Sequence, residues 1–203
     1  MNDRPKSPEN AAPSSRAVAD QGGDPLRGLQ QPKPQEFDIR IAADGSWYHE
    51  GGIIGRPALL KLFASVLRRE DDGSFWLVTP VERGRITVDD APFVVTSMAV
   101  TGQGEDQQIT FTTNVDEQVH LSSANPLVMR SHPAGNDLRP YVRGRGGLEA
   151  CLSRPVFYEL ASLAVDGPDE SERESGRESG PESGRETTLG VWSDGVFFAL
   201  VSG

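Results

Sequence analysis

The chain is poor in the residues that mark several common classes of protein. Its single cysteine, Cys151, excludes an internal disulfide and favours a reducing compartment. Its histidines, His49, His120 and His132, lie far apart in the sequence, so we expect no metal and no cofactor. The longest apolar run, Val196–Val201, is far shorter than the roughly 20 residues that cross a membrane. With no apolar stretch typical of a secretory signal near Met1, these absences favour a cytoplasmic protein without a membrane partner.

Basic residues are also in the minority. The chain has 30 acidic and 20 basic side chains, which gives a formal net charge of −10. A negative molecule repels nucleic acids and anionic membranes. We therefore expect no general binding of nucleic acid, although a small local group of cations is compatible with this charge.

Two stretches lack the apolar residues that a core needs. Residues 1–35 are rich in Pro, Gly, Ser, Gln and Asn, and residues 166–188 contain a repeat of Glu-Ser-Gly-Arg or Glu-Ser-Gly-Pro. Such segments bury too little apolar surface to offset the entropy of ordering, so both are predicted to be disordered. This leaves an N-terminal unit at 36–91 and a C-terminal unit at 92–203, which the low-complexity loop interrupts.

The two units have the sequence pattern of an α+β fold. A helix is predicted from Pro57, and a second from Pro155 to about Ala164. The first has Arg68 and Arg69 at its C-terminal end, where the helix dipole favours positive charge, and an apolar stripe of Leu59, Leu62, Phe63, Val66 and Leu67. Asp44-Gly45 and Asp194-Gly195 are typical of β-hairpin turns. Short strand-like runs are predicted at 75–79, 85–88, 93–101, 108–113, 118–121, 127–130 and 140–143. The pattern predicts two small related units of antiparallel sheet, with one helix each.

The strongest functional signal is a group of arginines between Arg130 and Arg154. Five arginines against two acidic residues give this stretch a formal charge of +3, and glycines lie between them. Because a guanidinium group binds carboxylate or phosphate with two parallel hydrogen bonds, we expect Arg143, Arg145 and Arg154 to form an anion pocket, with Tyr141 as a stacking face. The alternative is that these arginines pair with acidic neighbours: Asp89, Asp90, Glu149 or Glu159.

Two weaker candidates lie earlier in the chain. Trp47 and His49 lie in a strand-like run, where Trp47 could stack on a ligand and His49 could act with its neighbour Glu50. Adjacent strand residues point to opposite faces, which favours a core position for Trp47 and a rim position for His49. Glu82 and Asp90 could bind a metal or ribose hydroxyls, but nearby prolines favour ordinary turns.

Several dispersed motifs resemble a bacterial family named domain of unknown function 1285. They include Asp44-Gly45-Ser46-Trp47-Tyr48-His49-Glu50-Gly51, Gly55-Arg56-Pro57, Thr79-Pro80-Val81-Glu82, Asp90-Ala91-Pro92-Phe93, Tyr141-Val142-Arg143, Gly147-Leu148-Glu149-Ala150 and Gly190-Val191-Trp192-Ser193. The resemblance implies two α+β units with related cores, the second loosely similar to a pleckstrin-homology fold. It also implies a ligand site in the groove between the units, for a nucleotide-like molecule, and a role in signalling. The inserted repeat and Pro155, in the region of the second helix, depart from the family pattern.

These observations predict a non-enzymatic module that binds a small phosphorylated or nucleotide-like anion. The first alternative is a hydrolase of a phosphorylated small molecule, for which Glu82, Asp90 and His49 are the candidate residues. The second alternative is a protein-interaction module that adds its strand edges to a partner. The sequence does not indicate an oligomeric state.

Overall fold

A computed structural model of the chain describes residues 33–133, 135, 137–168 and 188–201, with Val201 described by its backbone alone. These residues belong to one compact unit, Pro32–Gly203, in which they form three sheets and two α-helices. Most of the predicted disordered tail and of the loop at 166–188 lies outside the described residues. The first strand begins at Pro34, two residues before the expected start of the N-terminal unit.

The first sheet contains two meanders of three strands each. Its elements are β1 (Pro34–Ile41), β2 (Trp47–His49), β3 (Gly52–Ile53), α1 (Pro57–Val66), β4 (Leu67–Arg69), β5 (Phe75–Val78) and β6 (Arg83–Val88). The strand order is β3-β2-β1-β6-β5-β4. Strands β1 and β6 pair in parallel, and every other pair in this sheet is antiparallel. Helix α1 connects the two meanders.

Helix α1 begins where the sequence predicts, because Pro57 loses no hydrogen bond at the first helical position. Its buried side differs from the predicted stripe. Leu62 is exposed, and Ala64 is buried instead beside the half-buried Phe63. Arg68 lies in β4 rather than in the helix, but it still donates hydrogen bonds to backbone carbonyls at the end of α1, at 3.1 Å to Ser65.

The second sheet repeats this strand arrangement. Its elements are β7 (Phe93–Thr101), β8 (Gln108–Thr113), β9 (Gln118–His120), β10 (Leu127–Ser131), β11 (Leu138–Arg143) and β12 (Glu149–Leu152), followed by α2 (Arg154–Ala161). The order is β10-β11-β12-β7-β8-β9, with β12 and β7 in parallel at the centre. The helix follows the second meander here, whereas α1 lies between meanders. The two units are therefore related in their sheets and differ in where the helix is inserted.

A small third sheet covers the second. It consists of β13 (Val165–Asp166), β14 (Leu189–Ser193) and β15 (Val196–Val201) in that order. The buried Ser193 hydroxyl donates to the Leu121 carbonyl at 2.7 Å and accepts from the Ile109 N–H at 3.0 Å. These bonds fix the β14–β15 hairpin on the second sheet.

The α+β class is confirmed, with three corrections of detail. Each six-stranded sheet contains one parallel pair, so the sheets are mixed rather than purely antiparallel. Strand β12 is absent from the predicted runs: it has only four residues, directly after the glycine-rich turn. Helix α2 begins at Arg154 and ends at Ala161; Pro155 fits its first turn, where the backbone N–H has no helical partner. The predicted Asp194-Gly195 hairpin is formed, by β14 and β15 of the third sheet.

One hydrophobic core runs through both large sheets and both helices. Trp47 is fully buried in it, and its ring lies 6.2 Å from that of Phe63. Asn114 connects the units, because its amide donates to the Gly45 carbonyl at 3.0 Å and accepts from the Val94 N–H at 3.1 Å. None of the helices in the described part of the chain is long and apolar enough to cross a membrane.

Candidate functional site

The predicted pocket of Arg143, Arg145 and Arg154 is not formed. Arg143 lies on β11 with its Nη2 3.5 Å from Glu149 Oε1. Arg145 lies in a tight turn after β11, where its Nε is 2.8 Å from Glu117 Oε1. Arg154 is exposed at the first residue of α2. The strand, the turn and the helix thus direct the three side chains to different places.

The space beside Arg145 is also too small for a ligand. It has a volume of about 10 Å³, which holds about one water molecule. Arg145 instead binds the Ala64 carbonyl at 2.6 Å, so it fixes α1 against the turn that follows β11. This contact indicates a structural role for Arg145.

The expected stacking residues are both inaccessible. Trp47 and Tyr141 are each 0% exposed, so neither offers a ring face to a ligand. The Tyr141 hydroxyl lies 3.0 and 2.9 Å from the two carboxylate oxygens of Asp90, and the Arg130 guanidinium lies 3.6 Å from the centre of its ring. The core position favoured for Trp47 is correct, whereas the stacking role expected for Tyr141 is wrong.

His49 and Glu82 lie apart from Asp90. His49 is exposed on β2, which is separated from β6 by β1. Glu82 lies in the β5–β6 turn, where its backbone N–H donates to Thr79 Oγ1 at 3.0 Å. Because Glu82 and Asp90 flank opposite ends of the six-residue β6, roughly 25 Å of extended chain separates them.

Asp90 is the centre of a buried polar network. Its side chain is 0% exposed, and its carboxylate accepts the Tyr141 hydroxyl and the Arg130 Nη2, the latter at 2.9 Å. His132 Nε2 lies 3.7 Å away. A buried charge requires partners of this kind. Asp90 is therefore a fixed anion that holds Arg130 in place.

The same network affects two neutral acids. Burial, and then the hydrogen bond to Asp90, raises the pKa of Tyr141 far above its ordinary value. Burial, and then the charge of Asp90, also raises the pKa of Cys151. The Cys151 thiol therefore stays protonated near neutral pH, where only a thiolate would be an effective nucleophile.

An open cleft lies next to this network. It has a volume of about 310 Å³, and its lining residues come from both large sheets and from the segment between them: Arg69, Phe75, Asp90, Pro92, Arg130 and Glu149. Arg69 and Phe75 lie on β4 and β5, and Arg130 and Glu149 lie on β10 and β12. We refer to this space as the cleft. It lies at the junction between the two units.

Three guanidinium groups converge on Glu149, and two of them, those of Arg69 and Arg130, line the cleft. Arg69 Nη1 and Arg143 Nη2 lie 4.0 and 3.5 Å from Glu149 Oε1, and Arg130 Nε lies 3.4 Å from Oε2. We refer to Glu149 and these three arginines as the Glu149 cluster. With Asp90 included, these side chains carry three positive charges and two negative ones. The distances exceed the 2.7–2.9 Å of strong charge-assisted hydrogen bonds, so Glu149 binds the arginines loosely.

The sequence contained no local signal for this cluster. The sequence predicts Arg69 as a favourable charge at the C-terminal end of α1, and Glu149 as one of several acidic partners for the arginines. Arg69 and Glu149 are brought together only because β4 ends beside the turn before β12, where Arg69 Nη1 donates to the Gly147 carbonyl at 3.2 Å. The described residues contain no group of three or more His, Cys, Asp or Glu side chains placed to hold a metal ion.

The fold and the cleft define an α+β protein whose two units share a sheet arrangement and meet at a charged space. Residues 25–91 match the family model "Domain of unknown function (DUF1285), N-terminal domain", and residues 92–200 match "Protein of unknown function (DUF1285), C-terminal domain". The chain therefore belongs to the DUF1285 family, as the motif resemblance predicts.

Two crystal structures of this family are similar to the chain. The DUF1285 protein from Silicibacter pomeroyi DSS-3 is 39% identical, with a TM-score of 0.71, and the match covers 92% of this chain and 91% of that one. The DUF1285 protein from Shewanella baltica OS155 is 26% identical, with a TM-score of 0.50, and the match covers 62% of this chain and 91% of that one. No curated protein matches the chain.

Proposed function

We propose that the protein is a non-enzymatic module that binds a small phosphorylated or nucleotide-like anion in the cleft. The observation that carries this proposal is the convergence of Arg69, Arg130 and Arg143 on the single carboxylate of Glu149. Each guanidinium has five N–H donors in a planar fork, which suits phosphate oxygens. This site differs from the pocket of Arg143, Arg145 and Arg154 that the sequence predicts, but the predicted class of ligand is the same.

Phe75 supplies the apolar part of the proposed site. It lines the cleft and is half-buried. The central carbon of the Arg69 guanidinium lies over its ring, 6.0 Å from the ring centre. An aromatic face next to a cation is suited to a flat ring that carries negative charge. Phe75 thus takes the stacking role that the sequence assigned to Tyr141 or Trp47.

The state of Asp90 supports binding rather than hydrolysis. Asp90 is the buried carboxylate of the cleft, and both of its oxygens lie within hydrogen-bonding distance of the Tyr141 hydroxyl. A general base needs an oxygen within reach of the proton that it removes. Because His49 and Glu82 lie elsewhere, nothing in the described geometry favours the hydrolase alternative. In this proposal the ligand is a cytoplasmic signal rather than a substrate.

The strand-edge alternative gains little support from the sheets. Of the six edge strands in the described part of the chain, β3, β4, β9 and β13 have two or three residues each, and β10 and β15 have five and six. The four short edges offer few free backbone groups to a partner strand. The cleft is therefore the better candidate for recognition.

A thermal-shift experiment tests the proposal. Adenosine monophosphate and phenyl phosphate are titrated at low ionic strength against the wild type, Arg69→Gln and the control Arg154→Gln. A ligand at ten times its Kd stabilises the native state by about 1.4 kcal/mol, which raises the Tm by about 3–6 °C in a domain of this size. We expect this shift in the wild type and in the Arg154 variant, and little shift in the Arg69 variant.

The control is matched because Arg154 is an exposed arginine of the original predicted pocket, outside the cleft. The proposal fails if neither compound raises the Tm at 10 mM. It also fails if the Arg154 substitution removes the shift and the Arg69 substitution does not.

A further inference from the structure

The Glu149 cluster already contains an anion, which is the Glu149 carboxylate itself. This side chain is 12% exposed at the wall of the cleft, so it lies at the boundary between protein and solvent. Its three contacts with arginines are 3.4–4.0 Å long. An external anion that enters the cleft must therefore compete with Glu149 for the same guanidinium groups.

We propose that Glu149 is a built-in competitor that the ligand displaces, and that it selects phosphate monoesters over monocarboxylates. This inference rests on the proposed function, because it concerns the occupant of the same cleft. Exchanging one carboxylate for another gives no gain in charge interaction, and the free ligand also loses translational freedom. A phosphate monoester carries roughly 1.5 to 2 negative charges at pH 7 and three acceptor oxygens, so it outcompetes a single carboxylate.

The backbone around Glu149 allows this exchange without unfolding. Strand β12 is held between β11 and β7, and Glu149 pairs in register with Arg143. Only the Glu149 side chain needs to rotate, because the arginines that it leaves lie on three other strands: Arg69 on β4, Arg130 on β10 and Arg143 on β11. The guanidinium groups of Arg69 and Arg130, which line the cleft, then remain in place for the incoming phosphate.

Asp90 does not compete in the same way. Its side chain is 0% exposed, and its Arg130 contact of 2.9 Å is shorter than any contact of Glu149. The two carboxylates of the cleft therefore have different roles. Asp90 permanently orients Arg130, and Glu149 is exchanged for ligand.

Isothermal titration calorimetry with phenyl phosphate and benzoate tests this inference. The two probes share a ring and differ in the anionic group. The proteins are the wild type, Glu149→Gln, Glu149→Asp and the control Glu117→Gln, which removes a carboxylate from Arg145 outside the cleft. Glutamine removes the competing charge, whereas aspartate keeps the charge and withdraws it by one methylene group.

We expect the wild type to bind phenyl phosphate and not benzoate. The Glu149→Gln protein should bind phenyl phosphate roughly tenfold more tightly and should gain measurable binding of benzoate. The Glu149→Asp protein should show an intermediate gain, and it remains informative if the glutamine variant folds poorly. Glu117→Gln should behave as the wild type.

The outcomes separate this inference from the proposed function. If the wild type binds phenyl phosphate and both Glu149 variants bind it equally or more weakly, the competitor role is wrong and the binding site stands. Binding of phenyl phosphate to the Glu149 variants alone would show that it does not displace Glu149 in the wild type, and would overturn the proposed exchange. If none of the proteins binds either probe, both proposals are wrong. An equal gain in Glu117→Gln would show a general effect of charge and would overturn the role of Glu149.

Discussion

The substitution Tyr141→Phe tests whether the buried network under the cleft depends on one hydroxyl group. Phenylalanine keeps the ring, its burial and its contact with the Arg130 guanidinium, and it removes only the donor to Asp90. Hydrogen bonds to charged groups contribute about 1.5–3 kcal/mol. Because the Asp90 side chain is 0% exposed, water does not readily replace the lost donor. We expect the free energy of unfolding to fall by about 2 kcal/mol.

Urea unfolding measured by tryptophan fluorescence gives this value, and a loss of this size lowers the Tm by about 4–8 °C. Tyr158→Phe is the matched control, because Tyr158 is 67% exposed and its substitution should change stability by less than about 0.5 kcal/mol. In an Asp90→Asn background, the cost of Tyr141→Phe should shrink by roughly 1 kcal/mol, since the charged acceptor is gone. Equal costs in both backgrounds would refute the Tyr141–Asp90 interaction.

Three further predictions concern stability. The pKa of Tyr141 is raised in the folded protein, so above about pH 10 an unfolded chain loses this proton while the folded protein keeps it. The free energy of unfolding should therefore fall with rising pH when it is measured between about pH 9 and 11. The fall should be smaller in Tyr141→Phe. Gly84→Ala should lower the free energy of unfolding by about 1–3 kcal/mol in urea titrations, because a new Cβ would overlap the ring of Phe37. Ser193→Ala should lower it by about 1–3 kcal/mol, because two buried backbone groups lose their partner; an unchanged midpoint would contradict this.

Local features of the fold could be predicted from the sequence because they depend on neighbouring residues. Asp44-Gly45 forms the predicted hairpin, with Gly45 at a positive φ of 81°, where a side chain would be strained. Pro57 marks the start of α1, and the bounds of β7 and β8 agree with the predicted runs. The parallel pairing of β1 with β6 and of β7 with β12 has no such local signal, since it joins strands that are distant in the sequence.

The candidate site was harder to predict for the same reason. The count of arginines between residues 130 and 154 gives their charge but not the direction of each side chain. Tyr141 and Arg143 lie on the same face of β11, yet Tyr141 is buried beside Asp90 and Arg143 is exposed at the end of the strand, and the turn that follows directs Arg145 to Glu117. Arg69 reaches Glu149 across 80 positions of sequence, a contact that only the junction between the two sheets creates.

The most direct test of the central claim is a crystal structure of the protein with phenyl phosphate, at a concentration that saturates binding in calorimetry. We predict phosphate oxygens within about 3 Å of N–H groups on Arg69 and Arg130, with the Glu149 carboxylate turned away from them. A phosphate bound at Arg145 or Arg154, or an empty cleft under saturating conditions, would contradict the assignment of the cleft as the binding site.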